Sequence, residues 1–182
     1  MKEVLSEKRY RHSLGVEKMA IKLATIYGAD TEKAAFAGRY HDIAKCFDQA
    51  ESDRLVVKYG ISEEYLGNSA LAHSKIAAAI LHEEYGVDDE DILNAVKSHT
   101  TGRVGMSLLE EIVYVSDAIE ENRNYPELKS LQERACTDLD TTCLYIMDFA
   151  VEMILAKGRK LDKETLEARD YITERIRRNN GK

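Results

Sequence analysis

The sequence predicts an all-α protein, and three observations lead there. Pro126 is the single proline in 182 residues. No tract alternates with period two over a length that could build a sheet, and apolar residues recur at three and four instead. From Leu5 the series Leu5, Arg9, His12, Val16, Met19, Leu23 and Ile26 marks one helical seam, ended by Gly28. Asp30 can cap a second helix running through Tyr40 to about Lys45. Phe47 to Tyr59 reads as a short helix ended by Gly60, and Leu71 to Tyr85 as another, closed by Gly86. Asp88 to Asp91 puts negative charge at the start of the next, which carries Ile92, Ala95 and Val96 up to His99. Ser107-Leu108-Leu109-Glu110 is a capping-box pattern for a helix reaching Glu121. Leu139 to Leu155 is apolar almost all round and is expected to be the central buried helix. Gly158 ends it, Asp162 caps the last helix, and Asn179-Asn180-Gly181 is expected to fray. With no repeat or Pro/Gly-rich linker, residues 1–182 read as one domain.

Composition narrows the function classes. Hydrophobic residues at 44% and charged residues at 32% fit a globular protein with a real core. The net charge of −7 argues against a general nucleic-acid binder. Cys46, Cys136 and Cys143 lack CxxC spacing and read as reduced, mostly buried thiols. Met1-Lys2-Glu3-Val4 opens no apolar run of signal length, and no segment approaches a membrane span. A cytoplasmic protein is expected, with no membrane partner. The basic stretch 157–182 reads mostly as a solvated amphipathic helix.

The adjacent pair His41-Asp42 is the strongest chemical signal, because His12, His73, His99 and Asp117 can join it. Nitrogen and carboxylate donors of this kind suit iron, manganese or zinc. On a helix, adjacent side chains diverge by about 100°, so one ion must sit beside the helix to meet both. Helical phase places His12 with Leu5, Val16 and Met19. It places His41 behind the small residues Ala34, Ala37 and Gly38, His73 with Ile76, Ala77 and Ile80, and His99 with Ile92, Ala95 and Val96. His82 points the other way, to solvent. One core histidine is ordinarily a hydrogen-bonded packing residue. Four on separate helices each need polar partners or incur a desolvation cost of roughly 1–3 kcal/mol, which a shared ion or anion would relieve together. Asp117 lies mid-helix in an apolar run, so it needs a metal, an arginine or a metal-holding histidine; a metal is favoured.

Directly after His99 comes Thr100-Thr101-Gly102-Arg103-Val104-Gly105-Met106. Hydroxyls, glycines and a guanidinium are the parts of a phosphate-binding loop. Arg9 lies one turn before His12 and Lys45 one turn after His41, so either a bound anion or buried salt bridges should engage them. Arg123 is a weaker candidate at a helix end.

These residues together resemble the H…HD…H…H…D set of the HD superfamily of metal-dependent phosphohydrolases. More narrowly, Arg9-Tyr10-Arg11-His12-Ser13-Leu14-Gly15-Val16, His41-Asp42-Ile43-Ala44-Lys45 and His99-Thr100-Thr101-Gly102-Arg103 are similar to the bacterial YqeK-like family. Gly105-Met106-Ser107-Leu108-Leu109-Glu110 and Ser116-Asp117 match it too, so the likeness spans nearly the whole chain. It implies a helical bundle of the HD-domain type and a symmetrical diadenosine tetraphosphate hydrolase whose metal is iron. It further implies that His12, His41, Asp42 and Asp117 hold the metal. Arg9, His73, His99, Thr100 and Arg123 would contact nucleotide phosphates, and the loop near Leu161 the nucleoside. Cys46-Phe47-Asp48 follow the HD segment where the family often has a proline, a departure that affects a turn rather than the chemistry.

The expected mechanism follows from the parts. The metal acidifies a water that attacks phosphorus, while Arg9, Lys45, Thr101 and Arg103 help hold the polyphosphate. His73 or His99 either protonates the leaving ADP or binds a second ion, with Asp42 between the two. One or two ions, and manganese or another divalent metal in place of iron, stay open, as does a homodimer. A nucleotidase or phosphodiesterase on another nucleotide, and a nucleotide sensor without turnover, are the rival readings.

Overall fold

In the computed structural model, residues 5–181 are described. The Met1-Lys2-Glu3-Val4 stretch, whose composition argued against a leader, lies outside them, as does residue 182. Among the described residues there is no strand. The helices are α1 (Glu7–Tyr27), α2 (Thr31–Tyr40), α3 (Gln49–Lys58), α4 (Ser69–Glu83), α5 (Glu90–Ser98), α6 (Leu108–Ile119), α7 (Leu128–Ala135), α8 (Leu139–Ala156) and α9 (Lys163–Asn180), with a short 3₁₀ turn at Glu63–Tyr65.

The caps fall where sequence chemistry puts them. Asp30, Asp48, Asp89 and Asp162 each accept backbone N–H groups of the helix that follows. Both halves of the Ser107/Glu110 capping box form at the start of α6. Gly28 closes α1 in the left-handed region. The last helix continues to Asn180 instead of fraying at Asn179. α7 was not anticipated: its apolar positions Leu128, Leu131 and Ala135 make a stripe only two turns long.

The center of the molecule is α6, which packs against α1, α2, α5, α7 and α8. Every residue from Leu109 to Ser116 is buried. That place was expected for α8, and the structure corrects it. α8 buries Leu139, Thr142, Cys143 and Met147, while Tyr145, Phe149, Met153 and Leu155 are exposed. A helix apolar almost all round is ordinarily buried; here α6, α7 and α9 pack against it and part of its apolar surface stays exposed. Cys143 is buried and Cys136 half-buried, but Cys46 is exposed, against the expectation of mostly buried thiols.

α1 and α2 lie unusually close. A Cβ on Gly38 would stand 3.0 Å from the Glu17 Cα and 3.2 Å from the Val16 carbonyl oxygen. The stripe Ala34, Ala37 and Gly38 therefore serves helix contact, and through it sets His12 on α1 against His41 at the end of α2. α2 stops at Tyr40, five residues short of the expected Lys45. Beyond it the N–H groups of Ile43, Lys45 and Phe47 bond to the carbonyls three residues back, of Tyr40, Asp42 and Ala44. This tightened turn aims His41 and Asp42 into one space, which a continuing α-helix would not do.

Candidate metal and phosphate site

Four buried histidines from four parts of the chain meet at the carboxylate of Asp42. His12 comes from mid-α1, His41 from the end of α2, His73 from α4 and His99 from the residue after α5; none exceeds 6% exposure. On one side, Asp42 Oδ2 lies 3.4 Å from His41 Nε2, 3.7 Å from His12 Nε2 and 2.7 Å from the Arg9 guanidinium. On the other, Oδ1 lies 3.1 Å from His73 Nε2 and 3.5 Å from His99 Nε2. Asp117 enters from α6, its Oδ1 3.0 Å from His12 Nε2 and 3.8 Å from His41 Nε2. Its side chain is 25% exposed, so it faces the open side of the cluster. His82 is exposed, in keeping with its helical phase.

The imidazoles are oriented by their second nitrogens. His41 Nδ1 donates to the Gly38 carbonyl at 2.8 Å, His73 Nδ1 to that of Ala70 at 2.8 Å, and His99 Nδ1 to that of Val96 at 2.7 Å. His12 Nδ1 stands 3.1 Å from the fully buried carboxylate of Glu120. With Nδ1 carrying the proton in each case, every Nε2 presents a lone pair to the common center. His12 Nε2 and His41 Nε2 are buried and have no hydrogen-bond partner. A lone pair set against carboxylate oxygens at 3.0 and 3.4 Å is repulsive unless a cation lies between. The donor set therefore fits a divalent metal. His12, His41 and Asp42 form one compatible group of ligand atoms, Asp42, His73 and His99 a second, and His41, His99 and Asp117 a third.

The charges of the protein alone agree at the two carboxylates, at His73 and at His99, while His41 favours its protonated form, whose proton a bound cation would have to displace. Burial opposes ionisation of Asp42 and Asp117, yet the surrounding histidines, with Arg123 at Asp117, hold both carboxyls well below the usual range. Burial, resisted by the Asp42 carboxylate and reinforced by His99 and Lys45, pushes His73 down to about 4. His99 is lowered as well, by burial and the neighboring His41. For His41 burial also pulls downward, but Asp42 and Asp117 outweigh it and the net shift is upward. Two ionised carboxylates thus face neutral imidazoles at His73 and His99, the protonation states that ligands need.

The cations expected around phosphate divide into two groups. Arg9 reaches Asp42, Lys45 Nζ lies 3.2 Å from His73 Nε2, and Arg123 donates to Asp117 Oδ1 at 2.6 Å. Thr100 Oγ1 is 3.2 Å from His73 Nε2. These residues rim the cluster. Arg103 and Thr101 are not brought there. Arg103 forms a two-point pair with the buried Glu110 carboxylate, both bonds 2.6 Å. Thr101 is fully buried and donates to Glu164 of α9 at 2.9 Å. Their contacts brace the loop after His99 instead of offering it to phosphate. Glu164 is in turn bound by the buried Lys75 at 2.5 Å, so α4, this loop and the start of α9 are pinned at one point.

Sequence reading missed Glu120, Lys75 and Glu164, and read Glu110 as half of a capping box without its pairing to Arg103. One sign of Glu120 was present. Gly15 sits inside a long helix, where glycine costs about 1 kcal/mol, and a Cβ there would stand 2.1 Å from Glu120 Oε2. The glycine makes room for the acceptor of His12.

Comparison with known proteins now separates the possibilities. The HD domain family model matches residues 9–122, the span holding all four cluster histidines and both aspartates. The chain belongs to the HD-domain family. It is 38% identical over 91% of its length to a protein of Halalkalibacterium halodurans named bis(5'-nucleosyl)-tetraphosphatase, symmetrical, covering 89% of that protein. A Staphylococcus aureus protein of the same name is 37% identical over 97% of this chain and 94% of its own. The fold matches, at TM-score 0.91 and 40% identity, a crystal structure from Clostridium acetobutylicum titled as a predicted HD superfamily hydrolase involved in NAD metabolism. That match covers 95% of this chain and 93% of the other. The full-length relatives place this HD-domain chain with the YqeK-like hydrolases. No helix among the described residues is long and apolar enough to cross a membrane.

Proposed function

We propose that this chain hydrolyses dinucleoside tetraphosphates at their center, converting diadenosine tetraphosphate to two ADP, with iron as its metal and the cytoplasm as its compartment. The observation that carries the reading is the shared Asp42 carboxylate, ringed by four histidines, capped by Asp117 and bordered by Arg9, Lys45 and Arg123. His12, His41, Asp42 and Asp117 are the residues that would hold the metal; His73 and His99, meeting the opposite oxygen of Asp42, would hold a second ion or a phosphate oxygen. When bound, a divalent ion supplies Lewis acidity and an acidified water beside phosphorus.

The protein's own groups supply the rest. Arg9 and Arg123, paired with Asp42 and Asp117, and Lys45 beside His73 are placed to neutralise a polyphosphate whose charge grows on the leaving side. Thr100 would donate its hydroxyl to a phosphate oxygen next to His73. The leaving group is the terminal phosphate of ADP, and a phosphate of this kind has a second pKa of about 6. It departs as an anion at neutral pH without a strong acid, so the neutral state of His73 and His99 is no obstacle. Asp42 and the four histidines are almost wholly buried, which keeps bulk water from the center of the cluster.

The test is a substrate comparison on metal-loaded protein. Catalytic efficiency with diadenosine tetraphosphate should exceed that with mononucleotides and cyclic dinucleotides by at least about a hundredfold. Equal or better turnover of a mononucleotide would make the chain a nucleotidase, and tight ADP binding without turnover would make it a sensor.

A further inference from the structure

We propose that Lys75 is a positioning residue for the hydrolysis: tied to Glu164 and Thr101, it fixes the His73, His99 and Thr100 side of the cluster and so selects which phosphate bridge is cleaved. The proposal rests on the dinucleoside tetraphosphate reading for the identity of the substrate. Lys75 lies in α4 and is 5% exposed. It stands two residues after His73, so the two side chains point about 200° apart, and Lys75 lies behind the cluster. Its ammonium donates to Glu164 Oε2 at 2.5 Å and to Thr101 Oγ1 at 3.4 Å. The Thr101 hydroxyl donates to the same Glu164 oxygen at 2.9 Å, which closes a triangle. The ammonium also sits 5.5 Å from the center of the buried Tyr65 ring.

Each corner of the triangle belongs to a different part of the fold. Lys75 holds α4, which carries His73. Thr101 holds the loop after α5, where it directly follows Thr100 and lies two residues after His99. Glu164 holds the first turn of α9. His73 Nε2 and His99 Nε2 lie 3.0 Å apart, and the Thr100 hydroxyl is 3.2 Å from His73 Nε2. A shift of α4 against the loop is therefore felt first at these three groups. α8 and α9 press on the same loop: a Cβ on Gly102 would stand 2.6 Å from the Met147 Cε and 3.1 Å from the Ala168 Cβ. Farther along α9, Arg175 binds the buried Glu111 of α6 at 2.6 Å, so the helix is a fixed backstop. An ion pair this deep is weak evidence for stability, since apolar side chains of similar size often serve the fold as well. What it adds is direction, because the three bonds of the triangle are satisfied together in one arrangement.

The bridges of a tetraphosphate are alike in chemistry, so placement decides which is cut. In every case the oxygen of one water bonds to a phosphorus and the bond from that phosphorus to a bridging oxygen breaks. The bridging oxygen keeps the electron pair, and the water protons pass to solvent. Breaking the central bridge of diadenosine tetraphosphate gives two ADP, and breaking an outer one gives ATP and AMP. His73, His99 and Thr100 grip the chain, while His12, His41, Asp42 and Asp117 fix the point of attack. The spacing between the two sets is the selector, and Lys75 holds it.

The test is product analysis with diadenosine tetraphosphate on metal-loaded wild type, Lys75→Met, Glu164→Ala and Glu164→Gln, with bound metal and Tm measured on each. Methionine is close to lysine in length and leaves no buried charge behind, because Glu164 is 40% exposed. Lys75→Met and Glu164→Ala should keep the wild-type metal content and form ATP and AMP beside ADP. Their kcat should fall about tenfold to a hundredfold, the scale of a misplacement of about 1 Å. Glu164→Gln keeps an oxygen for Lys75 and Thr101 and should return the products to ADP alone. Loss of folded protein lowers the rate without changing the products, so the product ratio separates positioning from stability. ADP alone from Lys75→Met and Glu164→Ala, at whatever rate, would overturn the proposal and leave the tetraphosphatase reading standing. ATP and AMP from Glu164→Gln as readily as from Glu164→Ala would also overturn it. A wild type that forms no ADP would refute that reading, and the proposal with it.

Discussion

Replacing Glu120 by glutamine tests how the metal site is held without touching a ligand. The carboxylate is 1% exposed. Its Oε1 faces His12 Nδ1 at 3.1 Å, and its Oε2 accepts the Asn122 backbone N–H at 2.6 Å and side-chain amide at 2.7 Å. Glutamine keeps the volume but has one acceptor oxygen. If that oxygen stays with Asn122, the new amide meets His12 Nδ1–H, donor against donor. His12 then gains relief by moving its proton to Nε2, where the lone pair for the metal is lost. If the side chain flips, the clash moves to Asn122 and His12 is retained, at a cost of about 1–3 kcal/mol for the unsatisfied donors. Loss of a carboxylate behind a ligating histidine typically lowers metal affinity 10–100-fold, or about 1.4–2.8 kcal/mol. Competition with a chromophoric chelator under ferrous or manganous ion measures the affinity, and a thermal melt of the metal-free protein measures the fold. Metal affinity should fall within that range with the helical signal intact. Gly15→Ala should act in the same direction, because its Cβ would stand 2.1 Å from Glu120 Oε2. Affinity within a factor of two of wild type in Glu120→Gln, with an unchanged melt, would refute the reasoning.

His41→Ala and Asp42→Asn should each remove bound metal and activity while circular dichroism stays helical, and His82→Ala should do neither; full metal occupancy in Asp42→Asn would end the ligand assignment. Arg103→Ala should lower stability by about 1–2 kcal/mol, discounted for the 40% exposure of the arginine, because Glu110 loses two of its bonds. That is a fall of roughly 3–6 °C in Tm, with KM within twofold; a tenfold loss of catalytic efficiency at unchanged Tm would return Arg103 to the phosphate. Burial pushes the Glu164 carboxyl up, but Lys75 and Thr101 outweigh it and hold it below its ordinary 4.5. A depressed folded-state value stabilises above the unfolded one and is lost as pH falls below it. Glu164→Ala should therefore lower Tm at pH 7 and have a smaller effect near pH 3, and an equal loss at both would exclude the ion pair as the cause.

Most of the cluster was legible because histidines on apolar faces betray themselves through phase. His12, His41, His73 and His99 each fall in register with buried neighbors, and His82 does not. The termini were legible where a cap is a local event, as at Asp30, Asp162 and the Ser107/Glu110 box. What escaped was set by tertiary contact. The end of α2 at Tyr40 follows from the demand that His41 and Asp42 share one center, and no breaker residue marks it. Arg103 looks like a phosphate ligand by composition, yet a buried carboxylate seven residues on claims it. Lys75 and Glu164 are separated by 89 residues and meet only when α9 folds back. α8 is apolar almost all round, and only its neighbors decide which face is core and which stays exposed.

The central claim is that this chain divides diadenosine tetraphosphate at its middle bridge. Single-turnover hydrolysis in ¹⁸O-water by the iron-loaded protein, followed by chromatography and mass analysis, tests it most directly. Two ADP should form in equal amounts, one carrying a single solvent oxygen on its β-phosphate and the other none, because one water enters per turnover and the departing half keeps the bridging oxygen. ATP and AMP as products, whichever of them carried the label, would place the attack at an outer phosphorus and contradict the account.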